Sequence, residues 1–110
     1  MIFSWDDWNV NHIAKHGVTP AEAEHVVRHA ADPFPRSTGD HKSIVWGQTG
    51  EGRYLQVIFV YRDVEELEFE SLTLEQLMAI SERTEAELVY VVHAMPLPPK
   101  LLKQYRRLRK

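Results

Sequence analysis

The feature that most constrains the fold is a helix end followed at once by a new helix start, within the stretch Trp5–Pro20. Asp6 or Asp7 can cap the first helix, because a short side-chain oxygen accepts from a free backbone N–H of the first turn. Gly17 tolerates the left-handed conformation that ends a helix, and Thr19-Pro20 supplies the next cap with proline at the first helical position. The sequence therefore predicts two short helices joined by a sharp turn.

Apolar periodicity predicts the remaining elements. In the first helix we expect Trp8 and Ile13 to face inward, and the second helix, from Thr19 to about Ala31, has an apolar stripe at spacings of three and four. Alternating Val, Ile, Tyr and Phe residues predict strands at 2–5, 43–48, 53–62 and 87–94, and a terminal helix is predicted over about 100–109. The expected fold is α+β: a small antiparallel β-sheet, with the strand at 53–62 in its centre, an N-terminal helix pair and a C-terminal helix.

Length and composition limit the classes of protein that this chain can form. The 110 residues fit one domain, at 1–110, in which a glutamate-rich segment at about 63–86 resembles a surface insertion. The absence of cysteine excludes disulfides and thiolate metal sites. We expect a cytoplasmic protein without a membrane partner, because no basic leader precedes an apolar run and no apolar run is long enough to span a bilayer.

Charge is distributed unevenly along the chain. The net charge is −3, yet six of the 13 basic residues follow Pro99, with no acidic residue among them. Such a basic end can follow a phosphate backbone or dock on an acidic partner. It can equally be a solvated tail, and charge alone does not separate these alternatives.

Histidines four residues apart first suggest a metal site, because His12 and His16, and likewise His25 and His29, share a helix face. No acidic or cysteine pattern joins them into a metal-binding motif, so we expect no metal and no cofactor. Cationic and hydrogen-bonding side chains at the ends of elements remain, and such groups can bind a phosphate and its flanking bases without a metal. These candidates are Lys15, His16, Arg53, His93, Tyr105 and Arg106.

A set of residues spread over almost the whole chain, apart from the segment at about 63–86, resembles the BrnT family of type II toxin–antitoxin ribonucleases. The matching residues are Phe3, Trp5-Asp6, Asn9, His12-Ile13, Lys15-His16-Gly17-Val18, Glu22, Gly47, Gly52-Arg53-Tyr54-Leu55, His93-Ala94 and Tyr105-Arg106-Arg107. The resemblance implies a RelE-like fold that cleaves RNA. It also implies a cognate BrnA-like antitoxin that neutralises the toxin and whose DNA-binding part represses the operon. The chain can also form a homo-oligomer, which the resemblance neither requires nor excludes.

The same resemblance suggests roles for the candidate residues. RelE-like ribonucleases cut RNA without a metal, through attack of the ribose 2′-hydroxyl on the adjacent phosphate. Lys15 and Arg53 are then candidates for stabilising the phosphate, and His16 and His93 for moving protons near neutral pH. Tyr105 can stack on a base or assist proton transfer. The neighbouring arginines, Arg106 and Arg107, are candidates for binding the substrate.

One departure from the family pattern supports a second hypothesis. The family usually has Ala-Arg after the last strand, whereas this chain has Ala94-Met95. A methionine cannot hold a phosphate, so the chain can also be interpreted as a catalytically inactive interaction protein that binds an antitoxin-like or DNA-binding partner. A third hypothesis is a small-molecule or metal-binding domain that uses the paired helix histidines.

Overall fold

A computed structural model describes residues 1–63, 74 and 87–108. Within them the chain forms three helices and one five-stranded sheet, which confirms the predicted α+β class. The strands are β1 (Ile2–Ser4), β2 (Arg36–Ser37), β3 (Lys42–Gln48), β4 (Tyr54–Asp63) and β5 (Glu87–Pro96). The helices are α1 (Asp7–Ala14), α2 (Pro20–Arg28) and α3 (Pro99–Leu108).

The sheet has the strand order β1-β5-β4-β3-β2, so β4 lies in the centre as predicted. All neighbouring strands are antiparallel except β1, which pairs with β5 in parallel. This pairing joins the amino-terminal strand to the last strand of the sheet. Because β1 pairs only with Leu88, Val89 and Tyr90, the rest of β5 lies beyond its end, where α1 packs.

The junction between α1 and α2 follows the predicted capping pattern. Asp6 caps α1 by accepting from the backbone N–H of Asn9, and the Asn9 side chain accepts in return from the backbone N–H of Asp6. Gly17 has φ of +71°, a left-handed conformation that glycine adopts without steric cost. Thr19 and Glu22 form the same reciprocal cap at the start of α2.

The core lies between one face of the sheet and the two N-terminal helices. α2 approaches the sheet closely at Gly47, where a Cβ atom would lie 3.1 Å from Cγ1 of Val26. Ile13 is fully buried as predicted, whereas the prediction that Trp8 faces inward is wrong, because Trp8 is 55% exposed. The opposite face of the sheet, which carries Gln56 and Ile58, is called the distal face below.

Two sequence predictions concern membrane crossing and the insertion. None of the helices in the described part of the chain has the length and apolar character needed to cross a membrane. The insertion predicted at about 63–86, with its short helix, lies outside the described residues apart from Asp63 and Leu74.

Candidate active site

Three side chains at spacings of four residues form one stripe along α1 and the turn that follows it. The ring centroids of Trp8 and His12 are 4.8 Å apart with an interplanar angle of 8°, so the two rings are stacked. His16 follows one turn later, with its ring centroid 6.4 Å from that of His12. Because Asn9 and Ile13 occupy the buried side of the helix, the stripe lies away from the core.

His93 on β5 joins this stripe from a distant part of the sequence. Its ring centroid lies 5.7 Å from that of His12 and 5.0 Å from that of His16. The next residue, Ala94, is buried in the core, so alternation along the strand directs His93 to the distal face. We call His12, His16 and His93 the histidine cluster.

An irregularity in the sheet lies next to the cluster. Ile58 pairs with His93 and Phe59 pairs with Val91, so β5 contains one extra residue, Val92, at this point. Such a bulge bends a strand and redirects the neighbouring side chains. The bulge therefore sits where β5 turns His93 towards α1.

The environment of the cluster lowers the pKa of His93. Burial is the main cause, because it disfavours the charged imidazolium, and the nearby His16 and His12 act in the same direction. His93 and His12 are half-buried, whereas His16 is exposed. A neutral imidazole that accepts a proton is therefore favoured at His93 near neutral pH.

Tyr90 connects the start of α1 to β5 beside the cluster. Its hydroxyl donates to the carboxylate of Asp6, with both oxygens at 3.0 Å, and its ring centroid lies 6.4 Å from that of Trp8. Burial, followed by the hydrogen bond to Asp6, raises the pKa of Tyr90 to about 12. The guanidinium of Arg62 lies 3.9 Å from the centre of the ring. These contacts fix the first turn of α1 against the sheet and so position Trp8.

Arg53, a candidate for stabilising the phosphate, is engaged at the helix junction. Its Nη1 atom donates to Oε2 of Glu22 at 2.9 Å and to the carbonyl oxygen of Gly17 at 3.0 Å. The guanidinium thus ties the start of β4 to the turn between α1 and α2. Its guanidinium forms a salt bridge, which among the described residues neither Lys15 nor Arg106 does.

Tyr105 and Arg106, the aromatic and the basic candidate on α3, lie at the far end of the distal face. Tyr105 packs against Tyr54, with ring centroids 5.9 Å apart, and the guanidinium of Arg106 lies 5.8 Å from the Tyr54 ring centre. Tyr54 precedes Ile58, the partner of His93, by four residues along β4. At about 3.3 Å per residue these two ends of the face are roughly 13 Å apart.

The remaining predicted residues lie next to the histidine cluster or on α3. Lys15 is exposed and directly precedes His16 on the chain, and Arg107 is exposed on α3. Met95 pairs with Gln56 and, being two residues from His93, lies on the distal face between the cluster and Tyr105. The structure thus brings His16 and His93 into contact and places the Arg53 guanidinium against Gly17, the residue that follows His16.

Sequence reasoning omitted three residues of this site from its catalytic set: Trp8, His12 and Tyr90. The spacing of Trp8, His12 and His16 contains a signal, because residues four apart share a helix face. No local sequence pattern pointed to Tyr90, because its contact with Asp6 depends on the pairing of β1 with β5. In the described ranges 1–63, 74 and 87–108, no group of three or more His, Asp or Glu side chains has the geometry to hold a metal ion.

No protein-family model, curated protein or solved structure matches the chain.

Proposed function

We propose that this chain is a metal-independent endoribonuclease, the BrnT-like toxin component of a type II toxin–antitoxin system. The observation that carries the proposal is the close approach of His16 and His93, whose ring centroids are 5.0 Å apart although His16 lies in the turn after α1 and His93 lies on β5. Two imidazoles in contact with each other can both hydrogen-bond to one phosphodiester that lies alongside the pair.

The reaction requires two proton transfers. The 2′-hydroxyl loses its proton as its oxygen bonds to phosphorus, and the 5′ oxygen gains a proton as its bond to phosphorus breaks, which leaves a 2′,3′-cyclic phosphate and a 5′-hydroxyl. In the proposal His93 is the base, because its lowered pKa favours the neutral form. The protonated form of exposed His16 is the acid. General acid–base groups contribute about 10²–10⁴-fold to a rate.

Negative charge that develops on the phosphate needs cationic partners. Lys15 adjoins His16 and is exposed, so its ammonium group is available to a phosphate beside the cluster. Arg106 and Arg107 on α3 supply charge at the other end of the distal face, where they would bind a neighbouring phosphate of the same strand. Arg53 has a structural role in this proposal, because its guanidinium is engaged by Glu22 and by the turn that follows His16.

The proposal is tested by incubating single-stranded RNA with the purified chain in excess chelator. We expect cleavage products with cyclic phosphate ends, and we expect His93→Asn to lower the cleavage rate by about 10²-fold or more. His41→Asn is the matched control, since His41 is exposed with φ of 58°, a conformation that asparagine tolerates. Equal cleavage by His93→Asn, or cleavage of RNA whose 2′-hydroxyls are methylated, would contradict the proposal.

The toxin assignment is tested in cells. Induced expression of the natural chain should arrest growth, and His93→Asn should relieve the arrest while the purified variant stays folded. A short ribbon-helix-helix gene beside the reading frame would encode the expected BrnA-like antitoxin, and co-expression of its product should restore growth. Continued growth under strong induction of the folded natural chain would count against the toxin assignment.

A second candidate function, an inactive interaction protein, is favoured by Met95. Its thioether lies on the distal face beside His93, where an arginine would reach a phosphate held by the cluster. If this hypothesis is correct, the natural chain does not cleave RNA and Met95→Arg gains cleavage. Robust cleavage by the natural chain, unchanged in Met95→Arg, removes this alternative.

A further inference from the structure

Trp8 differs from the other two tryptophans of the chain in having an unused polar group. Trp5 donates its indole N–H to Glu24 at 2.8 Å, and Trp46 donates to Gln56 at 2.9 Å; both residues are half-buried. Within the part of the chain that the structure describes, the Trp8 indole N–H has no acceptor, and the residue is 55% exposed. The exposed ring keeps apolar area in contact with water, and packing against a flat ligand would remove that area from water.

The surroundings of Trp8 keep its ring in a fixed orientation. One contact is the parallel stack on His12, and the other is with Tyr90, at an interplanar angle of 20°. Tyr90 is itself held by the carboxylate of Asp6. Because these partners restrain the indole, little side-chain entropy remains to be lost when a flat ligand packs on it.

From this geometry we infer that Trp8 is a stacking platform for an unpaired nucleobase of the RNA strand. The inference rests on the proposed function for its location, since Trp8 adjoins His12 of the histidine cluster. A base stacked on Trp8 would direct its strand towards His12 and so towards the rest of the histidine cluster. Stacking on an aromatic ring tolerates any base, whereas bases paired in a duplex cannot leave their stack without a further energetic cost.

Binding without cleavage tests the inference separately from the nuclease activity. The probe is a fluorescein-labelled, fully 2′-O-methylated RNA strand of about ten nucleotides, within the range that a single-strand site spans. Fluorescence anisotropy at low salt measures its Kd. We expect Trp8→Ala to weaken binding by about tenfold or more, Trp8→Phe to restore most of the affinity, and the matched duplex to bind more weakly than the strand.

Tyr61→Ala is the matched control, because Tyr61 is also an exposed aromatic, at 47%, with its ring against Phe59 and away from the cluster. Circular dichroism of each variant checks that it is folded. Equal affinity of the natural chain and Trp8→Ala, or equal affinity for strand and duplex, overturns the inference even if the natural chain cleaves RNA. A tenfold loss in Trp8→Ala supports it even if the natural chain does not cleave, in which case the nuclease proposal alone fails.

Discussion

Replacing Arg53 by methionine separates a structural role from a catalytic one. The substitution keeps an unbranched apolar stem and removes the guanidinium that bridges Glu22 and the carbonyl of Gly17. In the natural chain the side chains of Arg53 and Glu22 are 40% and 21% exposed, so solvent screens part of their attraction. The pair therefore belongs to the weak, partly exposed class of ion pairs.

The expected loss of stability in Arg53→Met follows from the two contacts that the substitution removes. A partly exposed ion pair contributes about 0.5–1 kcal/mol, and a hydrogen bond from a charged donor to a carbonyl about 1 kcal/mol. The free energy of unfolding should fall by about 1–2 kcal/mol, which corresponds to roughly 4–10 °C in Tm for a domain of this size. Denaturant unfolding with an unchanged m value would measure the loss directly.

Glu22→Gln supplies the matched control for this measurement. Glutamine still accepts from Thr19 and preserves the cap of α2, but it lacks the charge that pairs with Arg53. In a double-mutant cycle the two substitutions should show a coupling of about 0.5–1 kcal/mol. RNA cleavage per folded molecule should be retained in Arg53→Met. Undiminished stability together with abolished cleavage would refute this reasoning and assign Arg53 to the substrate.

Three further substitutions test the histidine cluster, the support of α1 and the packing of α2 on the sheet. The unfolded state binds a proton at His93 more readily than the folded state, because folding lowers the pKa of this histidine. The free energy of unfolding should therefore fall as the pH drops below about 6.5. Calorimetry should show a smaller fall in His93→Asn. Asp6→Asn keeps a capping oxygen but removes the negative charge beside Tyr90. Ultraviolet titration of this variant should therefore find the pKa of Tyr90 below its value of about 12. An unchanged pKa would contradict the role of the Asp6 charge in raising it. Gly47→Ala should destabilise the fold by about 1 kcal/mol through contact with Val26, and the loss should shrink in a Val26→Ala background.

The sequence predicted the parts of the fold that depend on local chemistry. The junction between α1 and α2 follows from side chains within a few residues of it, and Gly17 and Thr19 have the predicted roles. The central position of β4 follows from apolar residues on both of its faces. The parallel pairing of β1 with β5 joins segments more than 80 residues apart, and no local pattern encodes that partner. The contact of His93 with α1 depends on this pairing, so the sequence could name His93 but not its neighbours.

The error at Trp8 has a simpler physical cause. Trp8 and Ile13 are five residues apart, which at 100° per residue separates their side chains by roughly 140° around a helix. An eight-residue helix with one buried side cannot bury both, and α1 buries Asn9 and Ile13. Helical geometry alone therefore assigns Trp8 to the opposite stripe, together with His12. The exposed indole therefore belongs to the same stripe as His12 and His16, two members of the histidine cluster.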